Sequence, residues 1–253
     1  MDATEIAGLA AAAFAAGAVN AVAGGGSNIS FPALLAFGYG AKTANVTNTV
    51  ALWPGYLGGS LAYRRELGHQ GGRFVFLLLP SIAGALAGSA LLLGTSADTF
   101  ESIVPFLILL GSGVMLFQER LAKMAADRDL ASRGGDHVPL ALIAVVFAGA
   151  VYGAYFGAGL GVILLAGLMV LLPDNIQHSN ALKGLLSMVI NAVALGYFAL
   201  FGPVEWAPAF VMAGGALAGG YLGVGVARRL GEVWLRRAVV MFGVAVAAIL
   251  LFA

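Results

Sequence analysis

Thirteen Lys and Arg and twelve Asp and Glu residues are spaced so unevenly that their positions restrict this chain more than any motif does. Seventeen of the charges fall in three clusters. These are Arg64, Arg65, Glu66, Arg73; then Glu119, Arg120, Lys123, Asp127, Arg128, Asp129, Arg133, Asp136; then Arg228, Arg229, Glu232, Arg236, Arg237. Long uncharged runs separate them: 6–41, 43–63, 74–97 and 102–118, then 137–173, 184–204, 206–227 and 238–253. A helix needs about 20 apolar residues to cross a bilayer, and most of these runs supply them. Only 10% of the residues are charged and 60% are hydrophobic, against roughly 25% and 45–50% in a soluble domain. A water-soluble monomer is excluded, and the predicted class is an all-α integral membrane protein in a lipid bilayer. The net charge of +1 gives no reason to expect a nucleic-acid partner. Cysteine is absent, which removes disulfides, thiolate metal sites and thiol nucleophiles. No metal or cofactor is called for.

The run lengths are 36, 21, 24 and 17 residues, then 37, 21, 22 and 16. That is one pattern written twice, and the residues agree. Phe14-Ala15-Ala16-Gly17 opens one unit and Phe147-Ala148-Gly149-Ala150 the other. Thr47-Asn48 corresponds to Ser179-Asn180, and the Gly-Ala-Leu-Ala-Gly at 84–88 recurs unchanged at 215–219. The sequence predicts repeat 1 over residues 1–118, a cytoplasmic linker over 119–137 and repeat 2 over 138–253. Internal repeats are common in secondary transporters.

Lys and Arg beside short loops mark the cytoplasmic side, so all three clusters are placed inside. Between the second and third clusters the chain must cross an even number of times. The spans near 184–204 and 206–227 account for one crossing each, which leaves an even number for 137–173. One helix of about 20 residues plus a broken or re-entrant segment of about 12 fits, because 12 residues cover only about 18 Å of a roughly 30 Å core. Each repeat then has four spanning helices plus one short segment, about 8–10 segments in all. The repeats are inverted and both termini lie outside. The acidic start, Asp2 and Glu5 without Lys or Arg, argues against a signal peptide.

The short segments follow two glycine clusters, Gly24-Gly25-Gly26-Ser27-Asn28 and Gly157-Ala158-Gly159-Leu160-Gly161. Three consecutive glycines cost roughly 2–3 kcal/mol of helix propensity relative to alanine. Irregular backbone at membrane depth survives only where protein or a water-filled cavity covers it. Each break exposes a helix N-terminus, whose N–H groups and dipole favour an anion. The bland alternative, close helix packing through small residues, suits Gly84/Gly88 and Gly215/Gly219 better. Asn48 and Asn180 hold equivalent places in the two repeats, preceded by Thr47 and Ser179, and supply polar groups at depth. Lys183 shares a helix face with Asn180 and offers a counter-charge, with snorkelling to the surface as its structural reading. Asn20, Tyr152, Tyr155 and Asn191 are secondary donor candidates, and His178 is a candidate proton carrier. Trp53-Pro54 suggests a kink.

At these motifs the chain resembles the sulfite exporter TauE/SafE family. The matching stretches are AVAGGGSNISFPALLAFG and ANVTNTVALWPGYLGGSLAYRRE in the first half. In the second they are GAYFGAGLGVILLAGLMVLL, HSNALKGLLSMVINAVALGYF and GGALAGGYLGVGVARRL. The resemblance implies a bacterial inner-membrane transporter of small sulfur-containing anions, such as sulfite, sulfonates or sulfoacetate. Carried over by position, it points to residues 24–28, Asn48, 157–161, Asn180 and Lys183. The expected function is a secondary transporter working by alternating access, with a proton or Na⁺ as coupling ion. An anion channel and a transporter of a non-sulfur organic anion remain as alternatives. An enzyme is disfavoured, since no HExxH and no paired intramembrane carboxylates occur. Oligomeric state is not readable.

Overall fold

The computed structural model describes residues 1–253 except 23, 63–70, 127–137, 173–175, 231 and 253. The charges at 64–66, 127–129, 133, 136 and 174, and the side chains of Glu119, Arg120, Lys123, Arg228, Arg229 and Glu232, lie outside the described residues. Ten helices run through the rest: α1 (Ala3–Val22), α2 (Ser27–Ala36), α3 (Ala41–Ala62), α4 (Gly71–Gly94), α5 (Ala97–Ala126), α6 (Leu140–Tyr155), α7 (Leu160–Leu171), α8 (Ile176–Phe201), α9 (Trp206–Leu230) and α10 (Glu232–Phe252). The polar residues between the apolar runs set the helix ends. Asp2 Oδ1 accepts the Glu5 N–H at 2.8 Å, and Ser96 Oγ accepts the Thr99 N–H at 3.2 Å, so each caps the helix that follows. At the end of α4, Lys42 Nζ donates to the Leu93 and Thr95 carbonyls at 2.8 and 2.7 Å. A cation suits a helix C-terminus.

Both long uncharged runs are broken, as their lengths require. Run 6–41 gives α1 and the 10-residue α2; run 137–173 gives α6 and the 12-residue α7. These short helices extend about 15 and 18 Å, too little for a bilayer core. Each folds back on its predecessor. The start of α2 at Gly26 lies against Ala16, while Phe37 past its end reaches Gly8. Tyr39 Oη then donates to Glu5 Oε1 at 2.5 Å, which pushes the Tyr39 hydroxyl up to about 12. In the other hairpin Gly153 faces Leu160, Gly149 faces Leu164 and Gly167 faces Val145. Both short helices therefore pair with the helix before them as hairpins.

Among the described residues, five helices combine the length and apolarity of a membrane span: Ala3–Ala21, Gly71–Gly94, Ala97–Leu116, His178–Phe201 and Trp234–Phe252. Their outward faces carry large apolar side chains, with Leu79 75% and Met241 72% exposed, as lipid contact demands. The chain is a multi-pass helical membrane protein. Two details differ from the sequence expectation. Helix α6 has 16 residues, not about 20. Helix α5 continues to Ala126, past its apolar run, because residues 119–126 are good helix formers and need no lipid. Pro54 sits within a continuous α3, where Trp53 Nε1 donates to the Met188 carbonyl of α8 at 3.2 Å.

Helix α1 packs on α9 and α4 on α6, with α3 against α8 and α9, α8 against α4, and α5 against α10. The closest approaches use glycine. A Cβ added at Gly84 or Gly88 would overlap the Phe147 or Val151 carbonyl, and one at Gly215 or Gly219 the Ala10 or Phe14 carbonyl. The small-residue packing reading of these four positions holds. Gly88→Ala and Gly219→Ala should each destabilise the detergent-solubilised protein by about 1–3 kcal/mol. Gly113→Ala and Gly214→Ala, with open space at the added methyl, should be neutral or gain up to about 1 kcal/mol of helix propensity. Thermal melting of the four variants checks this, and equal effects in both pairs would contradict the packing account.

Candidate functional site

The two breaks are held open by left-handed backbone. Gly24 and Gly25 have φ of 75° and 88°, and Gly157 and Gly159 have φ of 84° and 81°. A side chain at such φ costs roughly 1–2 kcal/mol, so glycine is required here for conformation as well as space. The backbone groups freed by the breaks find specific partners. Asn20 Oδ1 accepts the Gly26 N–H at 2.7 Å. Tyr152 Oη donates to the Ala158 carbonyl at 2.6 Å. Asn45 Nδ2 donates to the Tyr155 carbonyl, at the end of α6, at 2.8 Å. Within the short helices, Asn28 and Ile29 N–H groups bond to Gly25 and Gly26, and Leu160 and Val162 N–H groups to Gly157 and Gly159. Much of the expected amide cradle is thus spent locally. What each short helix still presents is the positive end of its dipole.

The breaks meet. A Cβ placed on Gly24 would lie 3.4 Å from Gly161 Cα, and one on Gly161 would lie 3.5 Å from Gly24 Cα. Gly157 lies beside Ser27 on the same reckoning, with Oγ at 3.8 Å. Beside this contact is a cavity of about 30 Å³. At roughly 10–15 Å³ per water, it suits two or three waters or one small oxyanion.

Gly24, Gly25, Gly157 and Gly161 form the backbone part of the wall. Helix α8 contributes Asn180, Lys183, Gly184 and Ser187, and α3 contributes Gly55 and Tyr56. Asn20 and Ala21 close it from α1. The orientation of Asn20 is dictated by chemistry. A backbone N–H can only donate, so the amide oxygen faces Gly26 and the NH₂ remains a donor. Lys183 is only 6% exposed, so it does not snorkel. Its Cδ and Cε would lie 3.7 and 3.9 Å from a Cβ on Gly161, which puts its stem along the second break. No group of three or more His, Asp or Glu able to hold a metal occurs among the described residues.

The other residues singled out from the sequence lie off this wall. Gly26, Ser27 and Asn28 form the entry to α2, with Asn28 Nδ2 directed to Met115 Sδ at 3.8 Å. Ala158, Gly159 and Leu160 form the entry to α7, and Gly159 packs on Gly111 of α5. Thr47 Oγ1 accepts the Glu205 N–H at 3.0 Å, tying α3 to the α8–α9 turn. Ser179 and Asn48 are buried, Asn48 at 1% exposure, and neither Asn48 amide atom nor Ser179 Oγ has a hydrogen-bond partner. Sequence reasoning missed Gly55, Tyr56, Gly184 and Ser187. Ser187 lies four residues past Lys183, a helical repeat that would have found it.

A helical membrane protein with two facing broken-helix hairpins and a small cavity beside them, lined in part by Asn20, Asn180, Lys183 and Ser187, has the build of a transporter. Residues 9–250 match the family model described as sulfite exporter TauE/SafE, and the chain belongs to that family. A probable membrane transporter protein of Haemophilus influenzae is 29% identical over 228 residues, 90% of this chain and 87% of the relative. The probable membrane transporter protein YfcA of Escherichia coli K12 is 27% identical over 241 residues, 95% of this chain and 87% of the relative. A probable membrane transporter protein ORF9 of Sinorhizobium is 29% identical over 242 residues, 95% and 90% of the two chains. No solved structure matches.

Asn20 provides a test of the first break. Asn20→Ala leaves the Gly26 N–H without its acceptor and should cost about 1–3 kcal/mol. Asn20→Asp keeps an acceptor and should restore most of that stability. Melting curves in detergent read both, and an Asp variant no better than Ala would show that the bond does not hold the break.

Proposed function

We propose that the protein is a secondary transporter of a small sulfur-containing anion, of the sulfite, sulfonate or sulfoacetate class. The anion is held at the two helix breaks and moved by alternating access. The observation that carries this reading is the contact of Gly24 with Gly161 on the wall of a cavity that also contains Lys183. Two dipole ends and one ammonium favour an anion, and the cavity volume favours a small one. Lys183 is 6% exposed within the apolar span His178–Phe201, and ionisable residues within such spans are usually functional.

The contact pattern supports two equivalent repeats, and the charge positions set them as inverted. Exchanging α1–α5 for α6–α10 turns the α1–α9 contact into α6–α4 and α3–α9 into α8–α4, while α3–α8 and α5–α10 map onto themselves. Asn48 and Asn180 are equivalent under this exchange, yet only Asn180 is on the cavity wall. On this reading Asn48 takes Asn180's part when the site opens the other way, which would explain a buried carboxamide left unpaired. The proposed setting is a bacterial inner membrane, with both termini outside and the 119–137 linker cytoplasmic. Tyr39 gathers Glu5 and Glu205 at one end of the bundle, and an end poor in Lys and Arg suits the outer face.

Uptake into proteoliposomes tests the function, with sulfite, sulfate, sulfonates and carboxylates offered with and without proton and Na⁺ gradients. Lys183→Met and Asn180→Ala should each weaken uptake of the best substrate by about tenfold or more, as loss of a hydrogen bond to a charged group implies. Unchanged uptake would remove these residues from the site. Counterflow of labelled substrate is expected; dissipation of gradients alone would make the protein a channel. A preference for carboxylates would make the cargo a non-sulfur organic anion. For topology, a fusion at Ala253 should give active alkaline phosphatase and non-fluorescent GFP, and the reverse result would overturn the inverted arrangement.

A further inference from the structure

We propose that Ser187 is a substrate-binding residue, donating its hydroxyl to an oxygen of the bound anion. The assignment rests on the cavity being the anion site. Ser187 lies on the cavity wall with Asn180 and Lys183, at positions i+7 and i+4 from them on one face of α8. It is 2% exposed, and its Oγ has no hydrogen-bond partner.

That unpaired state is a choice among available ones. A buried helical hydroxyl ordinarily satisfies itself on the carbonyl four residues back. Ser81 Oγ does so with Leu77 at 2.7 Å, and Thr49 Oγ1 with Asn45 at 3.0 Å. Ser187 has the same option at the Lys183 carbonyl and does not take it. Its own carbonyl is meanwhile engaged by Asn191 Nδ2 at 2.8 Å. Ser89, Ser112 and Ser179 also carry unpaired hydroxyls, but none of them is on the cavity wall. A hydroxyl that gives up its local acceptor beside a buried ammonium is a donor kept for an oxyanion. The equivalent position in the first half is Gly55, also on the cavity wall, so the hydroxyl comes from one repeat only.

A ligand role and a structural role predict opposite results. Removing an unpaired hydroxyl should leave the anion-free protein as stable as before or more so. The experiment compares wild type with Ser187→Ala, Ser187→Thr and Ser187→Gly, with Ser89→Ala as the control off the cavity. Each is melted in detergent with and without methanesulfonate or sulfite, and each is assayed for uptake of the same anions in proteoliposomes. Ser187→Ala should keep the anion-free melting temperature, lose most of the anion-induced shift and raise the KM about tenfold or more. Ser187→Thr should retain binding, Ser187→Gly should behave as Ala does, and Ser89→Ala should match wild type. A wild-type KM and shift in both Ser187→Ala and Ser187→Gly would overturn the assignment. So would a loss of anion-free stability as large as the loss of binding. If wild type itself takes up neither anion and shows no shift, the reading of the cavity falls, and Ser187 with it. If wild type transports and Ser187→Ala equals it, only the Ser187 assignment falls.

Discussion

Lipid offers a broken helix nothing to hydrogen-bond with, and the structure is organised around that fact. The chain interrupts its helices twice in the middle of apolar runs. Each interruption is bonded by a side chain from its own hairpin: Asn20 takes an amide at the first break, and Tyr152 ties a carbonyl at the second. Each also packs on α5, the first through Gly25 against Met115 and the second through Gly159 against Gly111. The two breaks then cover one another at Gly24 and Gly161. What lipid cannot satisfy, protein does, and the space left between becomes the cavity.

The same constraint distributes the glycines. At Gly24, Gly25, Gly157 and Gly159 the backbone demands them through positive φ. At Gly84, Gly88, Gly215 and Gly219 it is the neighbouring carbonyls that do. The first group shapes the cavity. The second brings α4 against α6 and α9 against α1, which clamps each hairpin to a long helix of the other half.

Much of this was legible in the sequence, because charges cannot hide in lipid. The gaps between them located α4, α5 and α8, and the excess length of 6–41 and 137–173 required a short returning segment in each half. The glycine clusters marked the breaks within a residue or two. The local fate of the amides was less legible. That Asn28, Ile29 and Val162 N–H groups would be used within the entry turns depends on the tightness of those turns, which composition does not encode. The facing of individual side chains also depends on packing. Asn48 and Asn180 look alike in sequence, but only Asn180 lies on the cavity wall. Thr47 is similar: a hydroxyl beside Asn48 was a reasonable donor, and the α8–α9 turn claimed it. Ser187 was readable by helical periodicity, and became visible once Lys183 was known to stay buried.

The central claim is that the paired breaks make an anion site, and it can be tested by locating an anion directly. Selenite is the heavier analogue of sulfite, and this chain has no cysteine to reduce it. Anomalous diffraction from crystals soaked in selenite should give a selenium peak in the cavity bounded by Gly24, Gly161, Asn180 and Lys183. That peak should vanish in Lys183→Met. Selenium found only at the membrane surface or between other helices, with this cavity empty at saturating selenite, would contradict the account.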